Sequence, residues 1–168
     1  MNTHIILISF KSAGKTTVGL TLSAVLKLQF LDLDRQIEKI YRKKTGQKIN
    51  CRNIMSIKGE TFFRRLENVT LKKILKTRKS AIIALGGGAP LQEKNQILLK
   101  NHFIIHIVAA KKTVFDRIKK QGRPSFFPQD KDMRVHFNKL WKERMPVYKK
   151  LADVEADLKL NRSRLHHP

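Results

Sequence analysis

The 168-residue chain has one cysteine, Cys51, so it cannot close an internal disulfide, and a lone thiol offers no metal-binding spacing. Cys51 itself reads as a small, partly buried apolar residue. Long apolar runs are also missing. The N-terminal stretch 5–8 is far too short to span a bilayer and lacks the length and cleavage site of a secretory signal, so a soluble, cytoplasmic protein is expected. No Pro/Gly/Ser-rich linker, internal repeat or low-complexity tract divides the sequence. With 41% hydrophobic residues, one folding unit over 1–168 is expected. Acidic residues are scarce: 13 Asp and Glu stand against 36 Lys and Arg, a formal net charge of +23 that favours anionic ligands of every kind. The cations are scattered through every segment, not gathered into a basic tail or an aromatic-interleaved stripe, so nucleic acid is not the expected partner. The six histidines show no metal spacing.

What is present is an alternation of short apolar runs with longer amphipathic stretches, the pattern of an α/β three-layer sandwich built on a parallel sheet. The strand candidates are 5–9, 30–33, 81–85, 103–108 and 156–160. The helix candidates are 17–28, 34–44, 60–76, 92–99, 112–119 and 133–143, the last followed by a turn at Pro146 and by 147–150. Gly122, Pro124 and Pro128 mark 121–131 as a loop joining two helices, long enough to be functional. Ligands of such a sheet are expected beyond the carboxyl ends of its strands.

The segment 9–17, Ser-Phe-Lys-Ser-Ala-Gly-Lys-Thr-Thr, follows the first strand candidate and precedes a helix, as a Walker A phosphate loop must. Backbone N–H groups have to wrap the phosphates, so the bend needs small side chains, and Ser12, Ala13 and Gly14 supply them. Lys15 can reach the β- and γ-phosphates of ATP, the Thr16 hydroxyl can coordinate Mg²⁺, and Thr17 continues the motif. The departure is Ser9, where the motif has its first glycine. A serine there is tolerable at negative φ and strained by roughly 1–2 kcal/mol in a left-handed backbone.

Strand two ends in Asp32-Leu33-Asp34, and strand alternation sends both carboxylates to one side. Asp32 could hold the magnesium while Asp34 orients an acceptor hydroxyl and takes its proton; the alternative is that Asp34 merely caps the next helix. Arg64 and Glu67, three apart on a helix, can pair and fix a guanidinium fork suited to a carboxylate. Gly86, Gly87 and Gly88 permit close backbone approach to a ligand. Arg123 lies on the long loop and could fold over the phosphates, Arg144 could grip an anionic acceptor, and Arg117 could stack on adenine. Together these residues predict transfer of the γ-phosphoryl group of ATP to a hydroxyl of a small anionic metabolite.

Seven pieces in register give a family resemblance: Ala-Gly-Lys-Thr-Thr from Ala13, Asp-Leu-Asp from Asp32, Thr45-Gly46, Gly-Glu-x-x-Phe-Arg-x-x-Glu from Gly59, Gly-Gly-Gly-Ala from Gly86, Arg123-Pro124, and Arg-x-Pro-x-Tyr from Arg144. In these the chain resembles shikimate kinase over nearly its whole length. The resemblance implies a five-stranded parallel core of the P-loop, nucleoside-monophosphate-kinase type, with a lid and a shikimate-binding region between strand two and the glycine run; the expected bounds are a core at 1–161, a substrate region at about 34–64, a lid at about 121–132 and a disordered tail at 162–168, in a monomer. It implies that Lys15 and Thr16 serve phosphate and Mg²⁺, that Asp32 sits near the metal, and that Arg123 is the lid arginine. It implies further that Asp34, Arg64, Gly87, Gly88 and Arg144 hold shikimate, giving shikimate 3-phosphate and ADP in aromatic amino-acid synthesis. The departures are Ser9, the Phe10-Lys11 pair, the segment 48–55 in the acceptor wall, and Ser125-Phe126-Phe127 after the lid Arg-Pro. Rival readings are a gluconate- or nucleotide-type kinase on a similar scaffold, or a degenerate kinase that binds an acidic partner or nucleic acid through its basic surface.

Overall fold

The computed structural model describes residues 3–122 and 132–158. Five strands, β1 (Ile5–Ile8), β2 (Gln29–Asp32), β3 (Ala81–Ala84), β4 (Phe103–Val108) and β5 (Val154–Asp157), form one sheet in the order β2-β3-β1-β4-β5. Every pairing is parallel, with Ile5 of β1 opposite Ile82 on one side and Phe103 on the other. The expected sheet is therefore the one observed. β1 and β3 are apolar at every position because helices cover both faces of the sheet centre, so neither side offers water to a polar side chain.

Among the described residues seven α-helices connect the strands: α1 (Lys15–Leu26), α2 (Leu33–Thr45), α3 (Cys51–Lys58), α4 (Glu60–Leu75), α5 (Glu93–Leu99), α6 (Lys111–Lys120) and α7 (Met133–Leu151). Alternation along β1 divides the core. Ile6 and Ile8 join a large cluster with Leu33, Ile37, Leu71, Val114, Phe137 and Tyr148, while Leu7 packs with Ile82, Ala84 and Ile107 beneath Val18 and Leu22 of α1. Gly19 lets α1 lie close against the sheet: a Cβ there would lie 2.2 Å from the Phe30 ring.

Four features differ from expectation, each for a local reason. α3 was not anticipated; Asn50 caps it by accepting from the Asn53 N–H at 2.9 Å, and Gly59, at φ 83°, ends it. α7 runs unbroken through Pro146, where a turn was expected, since burial of Phe137, Arg144 and Tyr148 along one side outweighs the hydrogen bond that proline cannot make. β5 lies two residues earlier than the candidate 156–160, and as an edge strand with mostly exposed side chains it leaves little periodic signal. α1 begins at Lys15, two residues before the expected start. Arg123, the expected lid arginine, and the tail 162–168 lie outside the described residues.

The Gly19 contact yields a stability prediction. Gly19→Ala should cost about 1–3 kcal/mol by overpacking against Phe30, and Phe30→Leu should restore part of that loss, as measured by urea unfolding of the single and double variants.

Candidate active site

The loop 9–14 leaves the carboxyl end of β1 and turns into α1. Ser9 is buried and is not among the residues with positive φ; within the loop these are Ser12, at 65°, and Gly14, at 108°. The serine at the first glycine position is thus accommodated without left-handed strain, which falls on Ser12 instead. Ser12 is held there from both sides: its hydroxyl donates to Gln121 Oε1 at 2.9 Å, and Arg117 Nη1 donates to its carbonyl at 3.2 Å. Arg117 is therefore tied to the outside of the loop bend. Ala13 is buried inside the loop.

α1 starts with no side-chain cap and no acidic residue in its first turn, so its first N–H groups and its positive dipole end face the loop unopposed. That is the electrostatic arrangement a phosphate requires. The Lys15 ammonium donates to Ser9 Oγ at 3.0 Å, Ser9 O at 3.2 Å and Phe10 O at 3.3 Å. Burial lowers its pKa to about 8, against the pull of Asp34 and Asp32 in the opposite direction. Thr16 and Thr17 are exposed on the first turn.

The two aspartates reverse the expected geometry. Asp32 ends β2 and caps α2, its Oδ1 accepting from the Arg35 N–H at 3.2 Å, while Asp34 already belongs to the first helical turn. Strand alternation therefore does not relate them, yet both line the same cleft because a helix turn and a strand end meet there. Asp34 keeps an exposed edge in the cleft, but the walls remove enough water to raise its pKa, and Asp32 adds to the rise while Lys15 opposes it. Thr16 and Asp32 offer the hard oxygen donors that Mg²⁺ takes. Among the described residues no group of three His, Cys, Asp or Glu could hold a metal alone, so phosphate and water oxygens would have to complete its shell.

On the far wall, Arg64 of α4 donates from Nη1 to both carboxylate oxygens of Glu67 at 3.1 Å and from Nε to Glu60 at 3.3 Å. The Glu67 side chain is only 2% exposed, and burial raises its pKa against the effect of Arg64. The guanidinium lies against the glycine run: a Cβ on Gly88 would meet Arg64 Nη2 at 2.6 Å, and one on Gly86 would meet Asp34 Oδ1 at 2.8 Å. The consecutive glycines thus let backbone lie flush with the site's own side chains, a use that ligand approach alone did not suggest. Gly87 is fixed by Tyr148, whose hydroxyl donates to its carbonyl at 2.5 Å. One turn before Tyr148 on α7, the buried Arg144 stacks over Phe10 of the loop, 5.3 Å from the ring centroid.

These groups enclose one cleft of about 670 Å³, which Lys15, Thr16, Asp32, Asp34, Arg64, Gly86, Gly87, Gly88 and Arg144 all line. The cleft is a fit size for a small ligand beside a nucleotide. Sequence reasoning missed the contributions of Glu38 and of α3. Glu38 accepts from the Cys51 N–H at 2.9 Å, and the Cys51 thiol donates to the Asp34 carbonyl at 3.3 Å, so α3 is pinned to α2 at the site's edge. Burial pushes that thiol's pKa up, which agrees with an inert role. The Asn50 and Gly59 caps were the available signal for this helix.

A phosphate loop on the first strand of a parallel β2-β3-β1-β4-β5 sheet, with an anion-binding wall facing it, defines a P-loop phosphotransferase. The model of the shikimate kinase family matches residues 11–165. A shikimate kinase of Francisella tularensis subsp. holarctica is 34% identical over 155 residues, 92% of this chain and 84% of that protein. One of Dictyoglomus turgidum is 30% identical over 159 residues, 94% of this chain and 89% of the other. Among solved structures, shikimate kinase from Acinetobacter baumannii in complex with shikimate superposes with a TM-score of 0.79 at 29% identity, covering 97% of this chain and 90% of that one. Shikimate kinase from Aquifex aeolicus gives 0.72 at 27% identity, covering 92% and 86%. The chain belongs to the shikimate kinase family.

Arg64→Ala tests the pairing directly. Leaving Glu67 buried and reliant on fewer partners should cost about 3 kcal/mol at neutral pH. Glu67 already has a raised pKa in the folded state, and loss of Arg64 raises it further. The deficit should therefore be smallest below the ordinary carboxylate pKa of about 4.3 and grow as pH rises through the folded value, as read by urea unfolding across pH 4–8.

Proposed function

We propose that the chain transfers the γ-phosphoryl group of ATP to the 3-hydroxyl of shikimate, giving shikimate 3-phosphate and ADP. The observation that carries this reading is the place of Asp34. Asp34 lines the same cleft as Lys15 and Arg64, and it lies against Gly86 of the glycine run as Arg64 lies against Gly88. A carboxylate between a phosphate-binding lysine and a carboxylate-binding arginine is where the attacking hydroxyl of a small hydroxy acid would lie.

In this reading Ser12, Ala13, Gly14, Lys15, Thr16 and Thr17 cradle the nucleotide phosphates, with Arg117 beside the adenine and Arg123 closing from the lid. Arg64 and Arg144 hold the shikimate carboxylate, and the backbone of Gly86, Gly87 and Gly88 forms the floor under the ring. Asp34 accepts the proton of the 3-hydroxyl as its oxygen bonds to the γ-phosphorus, and the bond to the β-phosphate oxygen breaks in line. Lys15 and Arg123 stabilise the charge on the transferring group. Thr16 and Asp32 would hold Mg²⁺, which neutralises phosphate charge when bound. The raised pKa of Asp34 suits a group that must accept a proton near neutral pH.

The surrounding assignments follow the same logic. We take the protein as a cytoplasmic monomer in which the +23 field speeds capture of two anionic substrates and does not serve nucleic acid. Among the described residues no helix is long and apolar enough to cross a membrane.

ADP release from Mg-ATP should depend on shikimate and not on gluconate or a nucleoside monophosphate; release with either of the latter would move the substrate assignment. Asp34→Asn should lower kcat by about 10²- to 10⁴-fold. The same variant should raise the melting temperature, since it removes a desolvated carboxylate held near Asp32. A coupled ADP assay beside a thermal melt reads both.

A further inference from the structure

Ser9 has a side chain where a phosphate loop ordinarily has none, and that side chain touches the phosphate-binding lysine. An ammonium has three N–H donors. In this chain three acceptors face the Lys15 Nζ: Ser9 Oγ at 3.0 Å, Ser9 O at 3.2 Å and Phe10 O at 3.3 Å. The two carbonyls belong to the loop backbone and would be there with any residue at position 9. The hydroxyl comes from the serine side chain, and its contact is the shortest of the three. It is also fixed in direction: the Ser9 O–H donates to Phe10 O at 3.0 Å, which turns the oxygen lone pairs toward Lys15. Ser9 is fully buried, so its hydroxyl has no water to turn to in place of these two partners.

We propose that the Ser9 hydroxyl competes with the nucleotide's β-phosphate for the Lys15 ammonium, making Ser9 a positioning residue that weakens nucleotide binding. To reach a phosphate, Lys15 must give up at least one of its three acceptors. With glycine at position 9 one N–H would be uncommitted; with serine, a hydrogen bond between a charged donor and an oriented hydroxyl has to break first. The backbone at Ser9 needs no left-handed conformation, so the effect comes from the hydroxyl and not from loop strain. The inference rests on the nucleotide site proposed above, and its test separates the two.

Calorimetric titration with ADP and with AMP, using the full chain and its Ser9→Ala, Ser9→Gly, Lys15→Met and Ser9→Ala/Lys15→Met variants, provides the test. Ser9→Ala removes the hydroxyl alone, and Ser9→Gly keeps the experiment decisive should the alanine variant not fold. Both should bind ADP about tenfold more tightly than the parent. AMP, which has no β-phosphate, should bind all forms alike. In the Lys15→Met background the Ser9→Ala gain should vanish, since the cycle isolates the pair. Equal or weaker ADP binding by Ser9→Ala, an equal gain for AMP, or a gain that survives loss of Lys15 would overturn the proposal. Failure of every form to bind ADP would overturn the nucleotide site as well.

Discussion

The pairing of β1 with β3 is the contact from which the site follows. The two strands run parallel in register, Leu7 opposite Ala84, and the last rung of that ladder is the Leu85 N–H donating to Leu7 O at 3.0 Å. Immediately beyond it the chain emerges on both strands at once, as Ser9 on one and Gly86 on the other. A parallel pair cannot close with a hairpin, so both carboxyl ends are free to become loops at the same edge. One becomes the phosphate loop and the other the glycine run. β2 pairs on the outer side of β3 with Asp32 opposite Ala84, which brings the aspartates to the same edge. Three segments separated by dozens of residues thus meet because their strands are in register, and each needs only a few residues past its strand to reach the cleft.

The electrostatics of that cleft run against the surface of the molecule. The chain carries a net charge of +23, yet five of its scarce acidic residues, Asp32, Asp34, Glu38, Glu60 and Glu67, line one cleft. Two of them, Asp34 and Glu67, have pKa values raised by burial, and Lys15 has one lowered for the same reason. Each shift measures a charged form held where water would otherwise stabilise it. The fold tolerates this because each group is answered by another: Glu67 by Arg64, Lys15 by the loop carbonyls and the nearby aspartates. Such stored cost is what sets a site apart from ordinary surface ion pairs, which contribute little.

Much of this was legible in the sequence, and the parts that were not share a cause. Lys15, Asp34, Arg64, the glycines and Arg144 could be picked out because short motifs and strand-end positions mark them, and all of them line the one cleft. The parallel sheet could be read from the alternation of short apolar runs with amphipathic stretches, but its order β2-β3-β1-β4-β5 could not, because several orders join parallel strands through helices. The exchange between Asp32 and Asp34 was not legible, since whether a residue ends a strand or opens a helix turns on one hydrogen bond, here from the Arg35 N–H. α3 was hidden because its eight residues bury only Ile54 fully, too little for a periodic signal. Pro146 misled for the opposite reason: a strong local rule was overridden by the packing of Arg144 and Tyr148 on either side of it.

Ser9 shows what a consensus glycine does and does not specify. Glycine is required where the backbone enters the left-handed region or where a Cβ would collide. Gly14 meets the first condition at φ 108°, and Gly88 meets the second against Arg64. Position 9 does not need positive φ, so a departure there leaves the loop's shape intact. The left-handed residue of this loop that is not glycine is Ser12, which the Gln121 and Arg117 hydrogen bonds hold in place from α6 and its end. A missing glycine is therefore no sign of decay in this loop. It moves the question from backbone to side chain, where the serine hydroxyl changes the company Lys15 keeps without changing where Lys15 is.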